Sequence, residues 1–140
     1  MILYLDSSAI VASYFYEPHT ATVSQATFQA TQEWVSLIAY VETRAAFAQL
    51  KHQKRLVGKL YYQALEQFEE DWQTFEYYDV SEEMVQVAAY LAETYLLKGY
   101  DAMHLSSALA LQKTYKDIVF LSYDVRLNRA ASSAGLVLWT

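Results

Sequence analysis

Short apolar runs alternate along the chain with longer segments in which apolar residues recur at helical spacing. Ile2–Leu5 is a compact apolar run closed by Asp6, and residues 8–15 after it are permissive for helix. Glu17-Pro18-His19 is expected to break that helix, because proline cannot continue a helical interior, and residues 20–30 form the next one. Residues 33–36 read as a short strand and residues 37–53 as a helix with Ser36 as candidate N-cap. A long helix is expected over residues 56–74. Residues 75–80 are aromatic and β-branched, hence strand. Ser81 followed by Glu82 and Glu83 marks a helix start, since a serine caps and the acids suit the positive end of the dipole. That helix runs to about residue 97, and Lys98-Gly99-Tyr100 turns into another over residues 101–114. Residues 118–122 are a strand and residues 125–134 a helix stopped by Gly135. Residues 136–139 form a last strand.

Strand–helix alternation with nearly continuous apolar strands predicts a parallel sheet covered on both faces. Its site should lie beyond the carboxyl ends of the strands. One domain over residues 1–140 fits the length, and a chain 54% hydrophobic with three Gly and one Pro is no disordered or low-complexity sequence. The absence of cysteine excludes disulfides, thiolate zinc sites and Cys nucleophiles. No basic stretch precedes an apolar run at the start, and no apolar stretch approaches the ~20 residues of a membrane-spanning helix. A soluble, cytoplasmic protein is expected.

The net charge of −6 argues at first against a polyanionic partner. However, residues 60–97 hold nine acids and no base, which leaves ten bases against seven acids elsewhere. Local field rather than total charge decides what a surface attracts, so nucleic acid stays open as a partner.

Four acids stand out. Asp6 closes the first strand and Asp124 lies two residues past residues 118–122, so both fall at the carboxyl edge of the sheet. Either could instead be a plain helix N-cap. Glu42 has Ile38, Val41, Ala45 and Ala46 around it on a helical projection, and a carboxylate within an apolar stripe needs pairing or a metal. Arg44 is a poor partner, because positions two apart on a helix do not face each other. Asp101 opens a helix, with capping again the plain alternative. His104 one turn later could make an Asp-x-x-His metal pair or simply be a packed core histidine. Clustered carboxylates repel one another unless a hard cation such as Mg²⁺ or Mn²⁺ sits among them. Metal-assisted hydrolysis of a phosphodiester is the chemistry suited to such a cluster.

Leu5-Asp6-Ser7-Ser8-Ala9-Ile10, Val41-Glu42-Thr43-Arg44, Gly99-Tyr100-Asp101-Ala102-Met103-His104-Leu105 and Leu121-Ser122-Tyr123-Asp124-Val125-Arg126-Leu127 together resemble the four acidic motifs of PIN-domain nucleases. The likeness is greatest to VapC-type toxins of bacterial type II toxin–antitoxin pairs, and it spans essentially the whole chain. It implies a three-layer α/β/α sandwich around a parallel sheet and a Mg²⁺- or Mn²⁺-dependent endoribonuclease. It also implies a homodimer and a cognate antitoxin that blocks the site. Carried over residue by residue, Asp6 and Asp101 are the main metal ligands, joined by Asp124 directly or through water. Glu42 would hold or deprotonate the nucleophilic water, and Ser8 would support Asp6 unless it is an ordinary serine of a helix start. All four acids are present.

With those acids neutralised by a metal, ten bases face three remaining acids outside residues 60–97. Lys51, Lys54, Arg55 and Lys59 are the densest basic cluster and candidates for RNA phosphate contact, against the alternative of a solvated helix end. Arg126 and Arg129 are expected near the site. Tyr61, Tyr62, Phe68, Trp72, Tyr77 and Tyr78 could stack bases or pack a core or partner groove. The rival of another class is a PIN-fold module that grips RNA or protein without cutting, which a missing acid would favour. A phosphoacceptor switch would want an adjacent acidic pair before the acceptor and a late Lys after a strand. A phosphatase with an Asp-x-Asp loop would want an acid where Ser8 stands.

Overall fold

The computed structural model describes residues 1–15 and 17–140. Five strands, β1 (Ile2–Leu5), β2 (Gln32–Ser36), β3 (Glu76–Tyr78), β4 (Ile118–Leu121) and β5 (Val137–Leu138), form one sheet in the order β3-β2-β1-β4-β5. Every neighbouring pair is parallel. Seven helices connect them among the described residues: α1 (Ser7–Ala12), α2 (Glu17–Gln29), α3 (Ala39–His52), α4 (Gly58–Trp72), α5 (Glu82–Tyr95), α6 (Gly99–Gln112) and α7 (Val125–Ser133).

The central strand β1 is buried on both faces, and its side chains alternate between two cores. Ile2 and Tyr4 join Phe120, Leu105 and Leu127 in the core beneath α5, α6 and α7. Leu3 and Leu5 join Val35, Phe47 and Phe68 in the core beneath α1 to α4. Strand periodicity of two divides the molecule into the expected α/β/α layers. The strand order agrees with right-handed crossovers, which put helices on one face while the chain steps from β1 to β3 and on the other when it returns through β4 to β5. The sheet therefore has its topological switch point between β1 and β4. No described helix is long and apolar enough to cross a membrane.

Several local expectations are corrected. Pro18 does not break a helix but lies in the first turn of α2, where its missing N–H has no intrahelical partner to lose. The helix before it already ends at Ala12. Ser36 does not cap α3. It remains in β2, opposite Tyr78, and the ladder continues through a bond from the Leu37 amide to the Tyr78 carbonyl, so the helix starts only at Ala39. Among the described residues the buried Ser36 hydroxyl has no hydrogen-bond partner. Helix α6 starts at Gly99, two residues early, which puts Asp101 in its first turn rather than at the cap. Ser81 does cap α5, accepting from the Met84 amide. Gly135 takes φ +98° just past α7, a left-handed conformation that favours glycine.

Candidate active site

Asp6 and Asp124 follow the two strands that flank the switch point, with Leu5 in register with Leu121. Both cap the helix that comes next: the Asp6 Oδ1 accepts from the Ala9 amide at 3.0 Å, and the Asp124 Oδ1 accepts from the Leu127 amide at 2.9 Å. Capping and site placement are thus the same fact, since a cap after a parallel strand lies at the carboxyl edge.

Two serines cross-link the strand ends. Ser8 donates to Asp6 Oδ1 at 2.6 Å and accepts from the Tyr123 amide. Ser122 donates to Asp6 Oδ2 at 2.5 Å and accepts from the Asp124 amide at 3.0 Å. Ser8 holds the first acid as expected, whereas sequence reasoning misses the part played by Ser122. Its one clue is a spacing that mirrors Asp6 and Ser8, hydroxyl and acid two residues apart just past a strand. Asn128 completes the turn by donating to the Ser122 carbonyl.

Asp6, Asp101 and Asp124 line one open cleft of about 600 Å³ at this edge, together with Ser8, Phe15, His19, Gln53, Arg55 and Tyr123. Asp6 is 3% exposed. Burial pushes its carboxyl above the ordinary range, opposed by His104 and by the bonds from Ser122, Ser8 and Ala9. Asp101 is also raised, first by burial and then by repulsion from Asp124 and Asp6. The acids feel one another's charge. Among the described residues no three His, Cys, Asp or Glu side chains are already drawn together at coordination distance. The donor set nevertheless suits a hard cation, because it is all oxygen. Asp6 keeps spare capacity too, with three bonds on a group of roughly four acceptor positions.

Glu42 is not among the residues that line the cleft, but its charge reaches Asp101 and adds to the rise of that carboxyl. The apolar stripe expected around Glu42 is not the buried face of α3: Ala39, Thr43, Phe47 and Leu50 are buried, while Val41 and Ala45 face solvent. Its partner is His104, whose Nε2 lies 2.6 Å from Glu42 Oε1. His104 Nδ1 lies 2.9 Å from the Tyr4 hydroxyl, so both ring nitrogens are engaged and the histidine is satisfied within the protein. Arg44 does not pair with Glu42 and bonds Glu69 of α4 at 2.6 Å.

The basic candidates separate. Arg55 lines the cleft, its guanidinium 5.3 Å from the Phe15 ring centroid. Lys51 lies over Tyr61 and Tyr62, 4.6 and 5.4 Å from their ring centroids. Lys54 and Lys59 are exposed nearby in the chain. Arg126 and Arg129 are not in the cleft lining; they flank a different groove with Tyr95 and Leu96, where Arg126 donates to the Leu96 carbonyl. Of the aromatics considered for stacking, Phe68 is fully buried, and Trp72 packs against it and stacks on Tyr77.

Comparison with known proteins agrees with this geometry. The family model for the PIN domain matches residues 3–132. Ribonuclease VapC45 and ribonuclease VapC49, both of Mycobacterium tuberculosis, are each 30% identical over 134 residues, covering 96% of this chain and 92% of the relative. Among solved structures, FitAcB of Neisseria gonorrhoeae superposes with a TM-score of 0.70 at 20% identity, covering 100% of this chain and 97% of that one. VapBC2 of Rickettsia felis, bound to a DNA fragment from its promoter, gives a TM-score of 0.64 at 16% identity, covering 99% and 97%. With the family model spanning nearly the whole sheet and the acids at its switch point, the chain belongs to the PIN domain family.

Proposed function

We propose that this protein is a Mg²⁺- or Mn²⁺-dependent endoribonuclease and the toxin half of a toxin–antitoxin pair. The observation that carries the reading is the placement of Asp6, Asp101 and Asp124 around one cleft at the switch point of the sheet. The ribonuclease relatives support RNA as substrate. The VapBC and FitAB complexes among the structural neighbours support a cognate antitoxin as partner. The resemblance adds a homodimer.

Asp6, Asp101 and Asp124 are the residues that would hold the cation. A bound divalent ion lowers the pKa of water and offsets charge on the phosphate being cut. Ser8 and Ser122 keep both Asp6 oxygens oriented while that carboxylate is buried. Glu42 has Oε1 occupied by His104, which leaves Oε2 to accept a proton from the attacking water. Arg55 in the cleft wall, with Lys51, Lys54 and Lys59 beyond it, provides cations for the RNA backbone.

The test is cleavage of RNA by purified protein with Mn²⁺ or with EDTA, on wild type and on folded Asp6→Asn and Asp101→Asn. Cleavage should require both the ion and both acids, with turnover in the variants reduced by orders of magnitude. Undiminished cleavage by Asp6→Asn in EDTA would overturn the proposal. RNA binding without cleavage by the Mn²⁺-loaded wild type would make the protein a binding module.

A further inference from the structure

Three buried or half-buried side chains link the two helical layers across the sheet edge. Tyr4, 0% exposed on β1, places its hydroxyl 2.9 Å from His104 Nδ1. His104, 1% exposed on α6, meets Glu42 of α3 through Nε2 at 2.6 Å. Helices α3 and α6 cover opposite faces of the sheet, so this contact passes over the carboxyl edge. None of the three residues lines the cleft.

We propose that His104 and Tyr4 are positioning residues for Glu42: His104, oriented by Tyr4, donates from Nε2 to Oε1 and so fixes which carboxylate oxygen faces the attacking water. The inference rests on the reading of Glu42 as the carboxylate that holds that water.

Three features of the geometry support it. A carboxylate only accepts, so Nε2 carries the proton and the direction of the bond is fixed. Tyr4 cannot turn away, because its ring stacks on Phe120 at 5.5 Å and meets His104 edge-on at 6.0 Å. The Tyr4 hydroxyl lies 2.9 Å from Nδ1, so it anchors the far side of the imidazole and leaves Nε2 aimed at Glu42. The elements involved are also those that carry the acids. Tyr4 lies on β1 two residues before Asp6, which directly follows that strand, and His104 follows Asp101 by about one turn of α6. The chain of bonds therefore sets Glu42 against the two acids with which it must act. A misplacement of about 1 Å in such a constellation can cost on the order of a hundredfold in rate.

The rival is a merely structural bolt between layers, and the experiment separates the two. Wild type, Tyr4→Phe, His104→Leu, His104→Gln and Asp6→Asn are compared for kcat, KM and Mn²⁺ binding. The ¹⁵N shifts of His104 are recorded as well. His104→Leu should lower kcat by about a hundredfold and Tyr4→Phe by about tenfold, with KM and Mn²⁺ affinity within about twofold of wild type. His104→Gln should regain about tenfold over His104→Leu, since its amide can donate to Glu42. The ¹⁵N shifts should place the proton on Nε2. Unchanged kcat in Tyr4→Phe and His104→Leu, or a proton on Nδ1 alone, overturns the inference. So does a fall in kcat that glutamine fails to restore and that is matched by a rise in KM or a loss of metal affinity. If His104→Leu does not fold, Tyr4→Phe and the ¹⁵N shifts decide the matter. Loss of cleavage in Asp6→Asn with full activity in Tyr4→Phe and His104→Leu sinks this inference alone. Full activity in Asp6→Asn sinks the nuclease reading beneath it.

Discussion

Ser122→Ala isolates the least anticipated contact of the site. Its hydroxyl is the partner of Asp6 Oδ2 and also accepts from the Asp124 amide. Ser122 is 5% and Asp6 3% exposed, so water cannot readily replace the missing donor. A hydrogen bond to a charged group contributes about 1.5–3 kcal/mol, whereas a neutral pair contributes about 1 kcal/mol. Near neutral pH the variant should therefore lose about 2 kcal/mol. At about 3–4 °C per kcal/mol for a domain of this size, Tm should drop by about 6–8 °C.

The pH dependence makes the test specific. Burial raises the folded carboxyl of Asp6, and the Ser122 bond opposes that rise. Without Ser122 the folded carboxyl rises further and the folded variant binds more protons than folded wild type. Its stability then falls more steeply as pH climbs from the unfolded value near ~3.9 through the raised folded one. The deficit should be small on the acid side and reach its full size above that window. Thermal melts in EDTA from about pH 4 to about pH 8, with the exposed Ser132→Ala as control, measure it. A deficit equal at both ends, or no deficit at neutral pH, would refute the idea that Ser122 holds an ionised Asp6.

The metal-free wild type should behave likewise. The raised carboxyls of Asp6 and Asp101 make its stability in EDTA decline as pH rises through their titration, and Mn²⁺ at a hundred times its Kd should restore about 2.7 kcal/mol, read by melts with and without the ion. Asp124→Asn should raise Tm in EDTA while RNA cleavage is abolished, because asparagine caps α7 as well as aspartate and the repulsion that Asp124 exerts on Asp101 disappears; a lower Tm would make Asp124 a structural cap only. Neutralising Lys51, Lys54, Arg55 and Lys59 together should flatten the log–log salt dependence of RNA binding by about 0.7 for each phosphate the variant no longer neutralises. Arg55→Ala should exceed Arg126→Ala in effect, since only Arg55 lines the cleft.

What the sequence makes legible depends on how local the cause is. The apolar runs of β1 and β4 and the Ser81 cap act within a few residues, and they stand where expected. Asp6 and Asp124 can be placed together because each follows a strand and parallel strands share a carboxyl edge. Ser122 cannot be read this way. A serine after a strand is ordinary turn chemistry until β1 is known to lie beside β4, and most of the chain separates those two strands in sequence. The Glu42 environment misleads because Val41 and Ala45 are apolar by type yet solvent-facing, while the polar Thr43 is on the buried face. Arg126 stands away from the cleft by helix geometry, since two residues past Asp124 turn a side chain by about 200° to the far side of α7. The acidity of residues 60–97 is likewise not all surface charge. Glu69 is tied to Arg44 and Tyr40, and Asp71 accepts from Tyr14 and Gln67. Part of that charge is thus engaged within the protein, while Arg55 stands in the cleft wall. Net charge is a sum over the chain, but an approaching polyanion meets only the charges that the fold leaves around the cleft.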